Sequence, residues 1–335
     1  MMKFLTKKQI LLTAITLGVF VFLFRNVSFL EMRNVISQAN GMYLFAAFLV
    51  MFTFPLLCAI RWQMIVVQIG ADLSVWESFK IIMAAWPIGA VTPAKSGDLI
   101  KLLFLKNVLP YSKTTGVILA ERLMDVLALC TFSIVLGIQY GFYKASLFSG
   151  AMLVGVAGLV FLLETPLIRL VPARWTWLME NVFEATKYMF RNGRNFFSLL
   201  CISLLNWFMT FMQTWLCYQA FGYAVPLAYI MAALPIAIFI GLIPVTLSGM
   251  GTRDWAIIEL FGQFAPKEAN LAVGILYSIF GYWILTVLGL FFLKSALSGS
   301  IGGVKGEELR ETIYDKAGEK DLSQVDFQDS NEKQE

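Results

Sequence analysis

Ionisable side chains interrupt the apolar stretches of this 335-residue chain at a few places. They are Arg61, Lys95, Asp98, Lys101, Glu121, Arg122, Asp125, Arg253, Asp254 and Glu259. Charged groups inside a membrane are costly, and they usually face a binding site or a pathway. Five of these groups are basic and five are acidic, so the set can neutralise itself when no ligand is bound. Since the guanidinium fork suits phosphate oxygens, the pattern predicts a charged intramembrane cavity that holds an anionic headgroup.

One helical turn carries two of the carboxylates. Glu121 and Asp125 lie four residues apart and so share a helix face, with Arg122 about 100° away around the axis. We expect both carboxylates to face protein or water and to meet cations there. An ion-pair lock with a purely structural role is the alternative. Arg61 and Trp62 close the second apolar stretch, so Arg61 is either an interfacial anchor or a functional residue.

Two apolar segments share a pattern and a break. Ile82–Ile88 reads IMAAWPI and returns as IMAALPI at Ile230–Ile236, with only the fifth residue changed. The first segment, residues 82–106, is predicted to break at Pro87, Gly89 and Pro93, and the second, residues 227–261, to break from Pro244 onward.

Each break is followed by a short apolar half-helix, Leu99–Leu105 in the first segment and Trp255–Phe261 in the second. Interrupted segments in corresponding halves are typical of the midplane site of a transporter, because irregular backbone in a bilayer must be buried or line a cavity. Backbone N–H groups near Ser96 and Thr252 would then point at the bound anion. The alternative for the first segment is a short loop between two spans with surface charges.

Composition fixes the class of protein. With 59% hydrophobic and 14% charged residues, the chain is not a soluble domain. The fold class that we predict is all-α, a polytopic membrane helical bundle with two re-entrant broken-helix segments arranged as an inverted repeat. The predicted full spans are Ile10–Phe24, Gly41–Ile60, Thr114–Gln139, Ser146–Leu163, Phe196–Phe221 and Leu271–Leu293.

The membrane domain covers residues 1–299, with repeat halves at about 41–140 and 196–295. Residues 164–195 read as a cytoplasmic amphipathic segment and residues 300–335 as a disordered acidic cytoplasmic tail, and both termini are expected in the cytoplasm. If each broken pair crosses completely, the chain has up to ten spans.

Enzyme chemistry has little support in this sequence. The chain has no histidine, which removes the commonest general base and metal ligand. Its four cysteines lie in apolar segments without CxxC spacing, and there is no phosphate-binding glycine loop. We therefore expect no catalytic residue, cofactor, metal or nucleic-acid partner. The alternatives are a membrane enzyme that uses Glu121 and Asp125 to transfer a group to or from a lipid phosphate, and an accessory subunit of a lipid or glycan synthase.

Three short motifs resemble one known family, the transmembrane region of lysylphosphatidylglycerol synthases and the related stand-alone, flippase-like UPF0104 proteins. The motifs are Pro93…Gly97-Asp98…Lys101, Glu121-Arg122…Asp125 and Pro244…Gly249…Gly251…Arg253-Asp254. The likeness covers roughly residues 8–295. Gly97-Asp98 and Arg253-Asp254 stand where the family usually has Gly-Glu and Arg-Glu, and Lys101 stands where arginine is common.

The resemblance implies translocation of a lipid between leaflets of a bacterial inner membrane, without lysyl transfer, because only the acidic tail follows Gly299. The lipid would be a phospholipid or a hopanoid or polyprenyl-linked lipid, and a separate synthase or glycosyltransferase is a possible partner. Motifs and charges together give these candidate site residues: Arg61, Lys95, Gly97, Asp98, Lys101, Glu121, Arg122, Asp125, Ser248, Gly249, Gly251, Arg253 and Asp254.

Overall fold

A computed structural model describes residues 7–25, 27–90, 92, 98–105, 109, 111–164 and 192–297. Its helices are α1 Lys7–Arg25, α2 Phe29–Ser37, α3 Gly41–Met51, α4 Thr53–Gln68, α5 Val75–Ala90, α6 Lys101–Phe104, α7 Tyr111–Gln139, α8 Tyr143–Glu164, α9 Gly193–Ala220, α10 Leu227–Leu242, α11 Thr252–Phe261, α12 Lys267–Ser278 and α13 Ile284–Leu297. A 3-10 turn at Leu247–Gly249 precedes α11, and a π-helical turn at Ile279–Trp283 joins α12 to α13. These ranges contain no strand, so the predicted all-α class is confirmed.

Several helices have the length and composition of membrane spans. Within the described ranges, Gly41–Gln68, Gly193–Ala220 and Lys267–Leu293 are long and apolar enough to cross a bilayer. The pair α1–α2, bent by 86°, can form a fourth span. With 29 and 22 residues, α7 and α8 also exceed the ~20 residues that a crossing needs. The chain is therefore a multi-pass membrane protein, and the total of six crossings stays a prediction.

The two predicted halves have the same order of elements. Each has a long helical stretch, a 16-residue helix with an internal proline, a shorter helix and a long final helical stretch, in that order. The proline helices pack across the halves, because α5 lies against α13 and α10 lies against α7. The inverted orientation of the halves and the re-entrant geometry stay predictions.

The prediction that the first segment breaks at Pro87 and Gly89 is wrong. Helix α5 runs through both residues and ends at Ala90, just as α10 runs through Pro235 to Leu242. Pro87 has no N–H for the carbonyl of Met83, and this gap is covered by the backbone of α13. A Cβ at Gly289 would overlap the Met83 carbonyl oxygen and lie 2.8 Å from Pro87 Cδ. Close helix packing therefore keeps the proline inside the helix.

The predicted end of the second span is also wrong. Helix α4 continues past Ile60 to Gln68, and Arg61 is 1% and Trp62 0% exposed. The helix continues because apolar residues resume after Gln63 and because Arg61 meets acidic partners inside the bundle. Arg61 is thus a buried ion-pair residue and not an interfacial anchor.

Two apolar clusters hold the bundle together. One surrounds Phe211, Leu234 and Phe261, and the other surrounds Trp62 and Met124. Most of the predicted amphipathic segment, 165–191, and the whole predicted tail lie outside the described residues.

Gly289→Ala should lower the midpoint of thermal unfolding in detergent, because the added methyl group meets a backbone carbonyl that cannot move unless α5 shifts. Overpacking of this kind costs about 1–3 kcal/mol. Gly155→Ala on α8 is the matched control, since no atom lies within 4 Å of its would-be Cβ. The control should keep the wild-type midpoint or exceed it slightly. Equal midpoints for the two variants would contradict the close approach of α5 and α13.

Candidate functional site

Six charged side chains from three parts of the fold form one connected cluster, which we call the charge network. Its members are Arg61 on α4, Asp98 at the start of the turn before α6, Lys101 on α6, and Glu121, Arg122 and Asp125 on α7. Three members are basic and three are acidic, so their formal charges sum to zero.

The inner side of the network is buried and tightly paired. Arg61 Nη1 lies 2.6 Å from Asp125 Oδ1, and Arg61 Nη2 lies 3.6 Å from Glu121 Oε1. Lys101 Nζ donates to Glu121 Oε2 at 2.9 Å, and Arg61 also donates to Ser203 Oγ at 3.0 Å. The expectation that Glu121 and Asp125 share a face and meet cations is confirmed.

The outer side is more accessible and is centred on Arg122. Its guanidinium lies 3.2 Å from Asp125 Oδ2 and 3.5 Å from Asp98 Oδ2. The exposed fractions of the side chains are 39% for Arg122, 19% for Asp98 and 10% for Asp125. The same network therefore has a locked interior and a mixed-charge surface.

That surface opens into a pocket of about 860 Å³, a volume that includes the part open to the surroundings. Besides the six charges, the pocket is lined by rings and amides, among them Trp86, Trp207, Tyr277, Tyr282, Asn206 and Gln213. Trp207 Nε1 donates to Asp125 Oδ1 at 3.1 Å, and Trp86 Nε1 donates to the Gly281 carbonyl at 3.1 Å. Residues of both halves thus form one chamber.

Arg253 and Asp254 form a separate pair behind the chamber. Arg253 Nη2 donates to Asp254 Oδ1 at 2.9 Å and to Ser278 Oγ at 2.6 Å. Its guanidinium lies 4.2 Å from the ring centre of Tyr277 and 5.6 Å from that of Tyr282. Both side chains are buried, and neither lines the pocket described above. The pair contacts the chamber through the two tyrosines.

The ten ionisable groups therefore do not form one set. Glu259 is exposed beside Tyr140 and Gln263 in a different pocket. Lys95, Ser96 and Gly97 lie outside the described residues. The N–H of Gly251, at the start of α11, donates to Asp254 Oδ2 at 2.9 Å. At this helix start the N–H of Gly251 is therefore occupied by the carboxylate of the same helix, and the prediction that N–H groups near Thr252 point at an anion stays a prediction.

Ser248 joins the two broken segments directly. Its hydroxyl donates to the carbonyls of Gly89 at 3.0 Å and Ala90 at 2.7 Å, at the last turn of α5. Three residues of this loop have positive φ, namely Ser248 (47°), Gly249 (74°) and Gly251 (91°). A Cβ at Gly249 would overlap the backbone of Gly241, so glycine is required for both the conformation and the packing there.

Sequence reasoning missed the aromatic lining. Aromatic residues in apolar helices read as core, so Trp207, Tyr277 and Tyr282 carry no distinguishing signal. Trp86 did carry a sequence signal. It occupies the single position at which the two IMAAxPI copies differ, and its counterpart in the second copy is Leu234. As for metals, the described residues contain no group of three or more side chains that could hold an ion.

Comparisons with known proteins agree with this architecture. The family model described as "Lysylphosphatidylglycerol synthase TM region" matches residues 9–289. A UPF0104 membrane protein of Archaeoglobus fulgidus is 25% identical over 310 residues, 84% of this chain and 92% of that protein. One from Methanocaldococcus jannaschii is 22% identical over 323 residues, 86% of this chain and 95% of the relative.

Arg61→Met should strongly destabilise the protein, because it leaves Glu121 and Asp125 buried without their shared cation. Breaking a buried pair in this way costs about 3–5 kcal/mol. The measurement is thermal unfolding in detergent, with Arg33→Met on an exposed site of α2 as control.

A second variant separates charge from packing. Arg61→Met combined with Asp125→Leu restores formal neutrality and should recover part of the lost stability. A single Arg61→Met variant as stable as its control would contradict a structural role for the inner side of the network.

Proposed function

We propose that the chain, which belongs to the family of lysylphosphatidylglycerol synthase transmembrane regions, moves an anionic or amino-modified lipid between membrane leaflets. The lipid headgroup occupies the pocket, and the acyl chains stay in the bilayer. The membrane is the plasma membrane, with both termini on the cytoplasmic side. Since the relatives above come from archaea, the proposal is not restricted to bacteria.

One observation carries the proposal: a partly accessible guanidinium at the wall of a pocket inside a membrane protein. Arg122 lies 3.5 Å from Asp98 Oδ2 and 3.2 Å from Asp125 Oδ2, and its side chain is 39% exposed. Its Nε is buried and has no hydrogen-bond partner among the described residues. A phosphate that enters the pocket can accept from this fork while the carboxylates turn to their other contacts.

The inner side of the network explains why the site is stable when no ligand is bound. Arg61 and Lys101 hold Glu121 from two sides, so the buried carboxylates stay neutralised when Arg122 changes partners. A lipid headgroup would otherwise cross hydrocarbon at a cost of several kcal/mol. The pocket lowers this cost because it surrounds the headgroup with fixed polar side chains instead of hydrocarbon.

The position of the pocket between the halves supplies a route for movement. Gly89 and Trp86 of α5 line one side, and Tyr277 and Tyr282 line the other. Rocking of one half against the other would open the chamber towards one leaflet or the other, as in transporters with repeated halves. The contacts of Ser248 with α5 lie at the joint between the halves.

Arg122→Ala should slow lipid movement roughly tenfold or more, because a charge-assisted hydrogen bond contributes about 1.5–3 kcal/mol. Arg122→Lys keeps the charge but loses the fork, so its rate should be intermediate. The measurement is dithionite quenching of acyl-labelled phospholipids in proteoliposomes. Arg194→Ala, at an exposed site of α9, is the matched control and should behave as wild type.

Two outcomes would contradict the proposal. The first is an Arg122→Ala rate equal to that of Arg194→Ala at equal protein content. The second is a change in the mass of the labelled lipid during the assay, which would indicate group transfer and not transport.

A further inference from the structure

We infer that the pocket selects a zwitterionic headgroup of zero net charge, with one phosphate and one ammonium group, over headgroups of net charge −1 or +1. The inference rests on the proposed function and narrows its substrate from anionic or amino-modified lipids to those amino-modified lipids whose headgroup has no net charge. Its starting point is the mixed charge of the accessible surface, where Arg122 is flanked by Asp98 and Asp125 within 3.5 Å.

Charge balance is the first argument. The formal charges of the network sum to zero, and its inner members are almost fully buried. A headgroup that enters with a net charge of either sign leaves that charge uncompensated among the described partners, at low dielectric. A headgroup with both signs enters without changing the total.

Partner exchange is the second argument. A phosphate that binds Arg122 takes the guanidinium away from Asp98 and Asp125. Those carboxylates keep Lys101 at 3.9 Å and Arg61 at 2.6 Å, respectively, and give up only their contact with Arg122. An ammonium group a few ångströms from the phosphate would take the place of Arg122 beside them. A headgroup with phosphate alone offers no such replacement.

Aromatic rings supply the third argument. Trp86 and Trp207 line the pocket, and the Trp207 N–H donates to Asp125, which holds this ring beside a carboxylate. Aromatic faces attract ammonium groups, and tryptophan does so most strongly. Tyr277 and Tyr282 already face Arg253, so we assign the contact with the ammonium group to the two tryptophans.

The experiment compares three acyl-labelled lipids in proteoliposomes of the full chain: phosphatidylethanolamine (net charge 0), phosphatidylglycerol (−1) and lysyl-phosphatidylglycerol (+1). We expect the first to move roughly tenfold faster than each of the others, the factor for one lost charge-assisted contact. Equal or faster movement of either charged lipid would overturn the inference and leave the proposed function intact. If no lipid moves faster than in protein-free vesicles, the proposed function fails as well.

Asp98→Asn gives the network a net charge of +1 and so should abolish the preference for a neutral headgroup over one of charge −1. The ratio of phosphatidylethanolamine to phosphatidylglycerol rates should fall roughly tenfold, whereas Asp72→Asn, at an exposed site, should leave it unchanged. The ratio is taken within one preparation, so it does not depend on how much protein is folded. An unchanged ratio in Asp98→Asn would overturn the assignment of selectivity to charge balance.

Discussion

The pairing of Arg61 with two carboxylates is the interaction on which the rest of the structure depends. A guanidinium that is 1% exposed in a membrane bundle must have acceptors, and here they come from two other helices, since Asp125 and Glu121 lie on α7 and Ser203 lies on α9. The cost of any unpaired member is several kcal/mol, so the network fixes the relative positions of these helices. The accessible residue Arg122 contacts this buried part of the network through Asp125.

Backbone groups impose a second constraint, and the two halves satisfy it for each other. The last carbonyls of α5 accept from Ser248 of the second half, and the Met83 carbonyl, for which Pro87 has no N–H, lies against Gly289 of α13. Without water in the bilayer core, such groups need a partner or close cover from protein. The proline helix of the first half is therefore stable only beside the second half, which ties the conformation of the pocket wall to the contact between halves.

The helices and the shared face of Glu121 and Asp125 could be predicted from the sequence, because the length of an apolar stretch and the spacing of residues along a helix depend only on neighbouring residues. Tertiary contacts decided the rest. Pro87 was expected to end a helix, but α13 covers the gap. The sequence left Arg61 open between an interfacial anchor and a functional residue, because the acids that pair with it lie 60 and 64 positions later in the chain. Arg253 was expected in the same charged cavity as Asp98, but Tyr277 and Tyr282 lie between it and the chamber.

The position of Arg253 indicates how a residue that does not line the chamber can still contact its wall. The π-helical turn at Ile279–Trp283 contains Tyr282, and the carbonyl of Gly281 in that turn accepts from Trp86 on the opposite wall. Single π-helical turns inside helices are rare and frequently lie at functional sites. Because Arg253 contacts both tyrosine rings and Ser278 at the start of this turn, any displacement of α11 displaces the aromatic wall. The pair Arg253–Asp254 thus packs against the aromatic wall of the chamber, whereas in the proposed function Arg122 makes the contact with the headgroup.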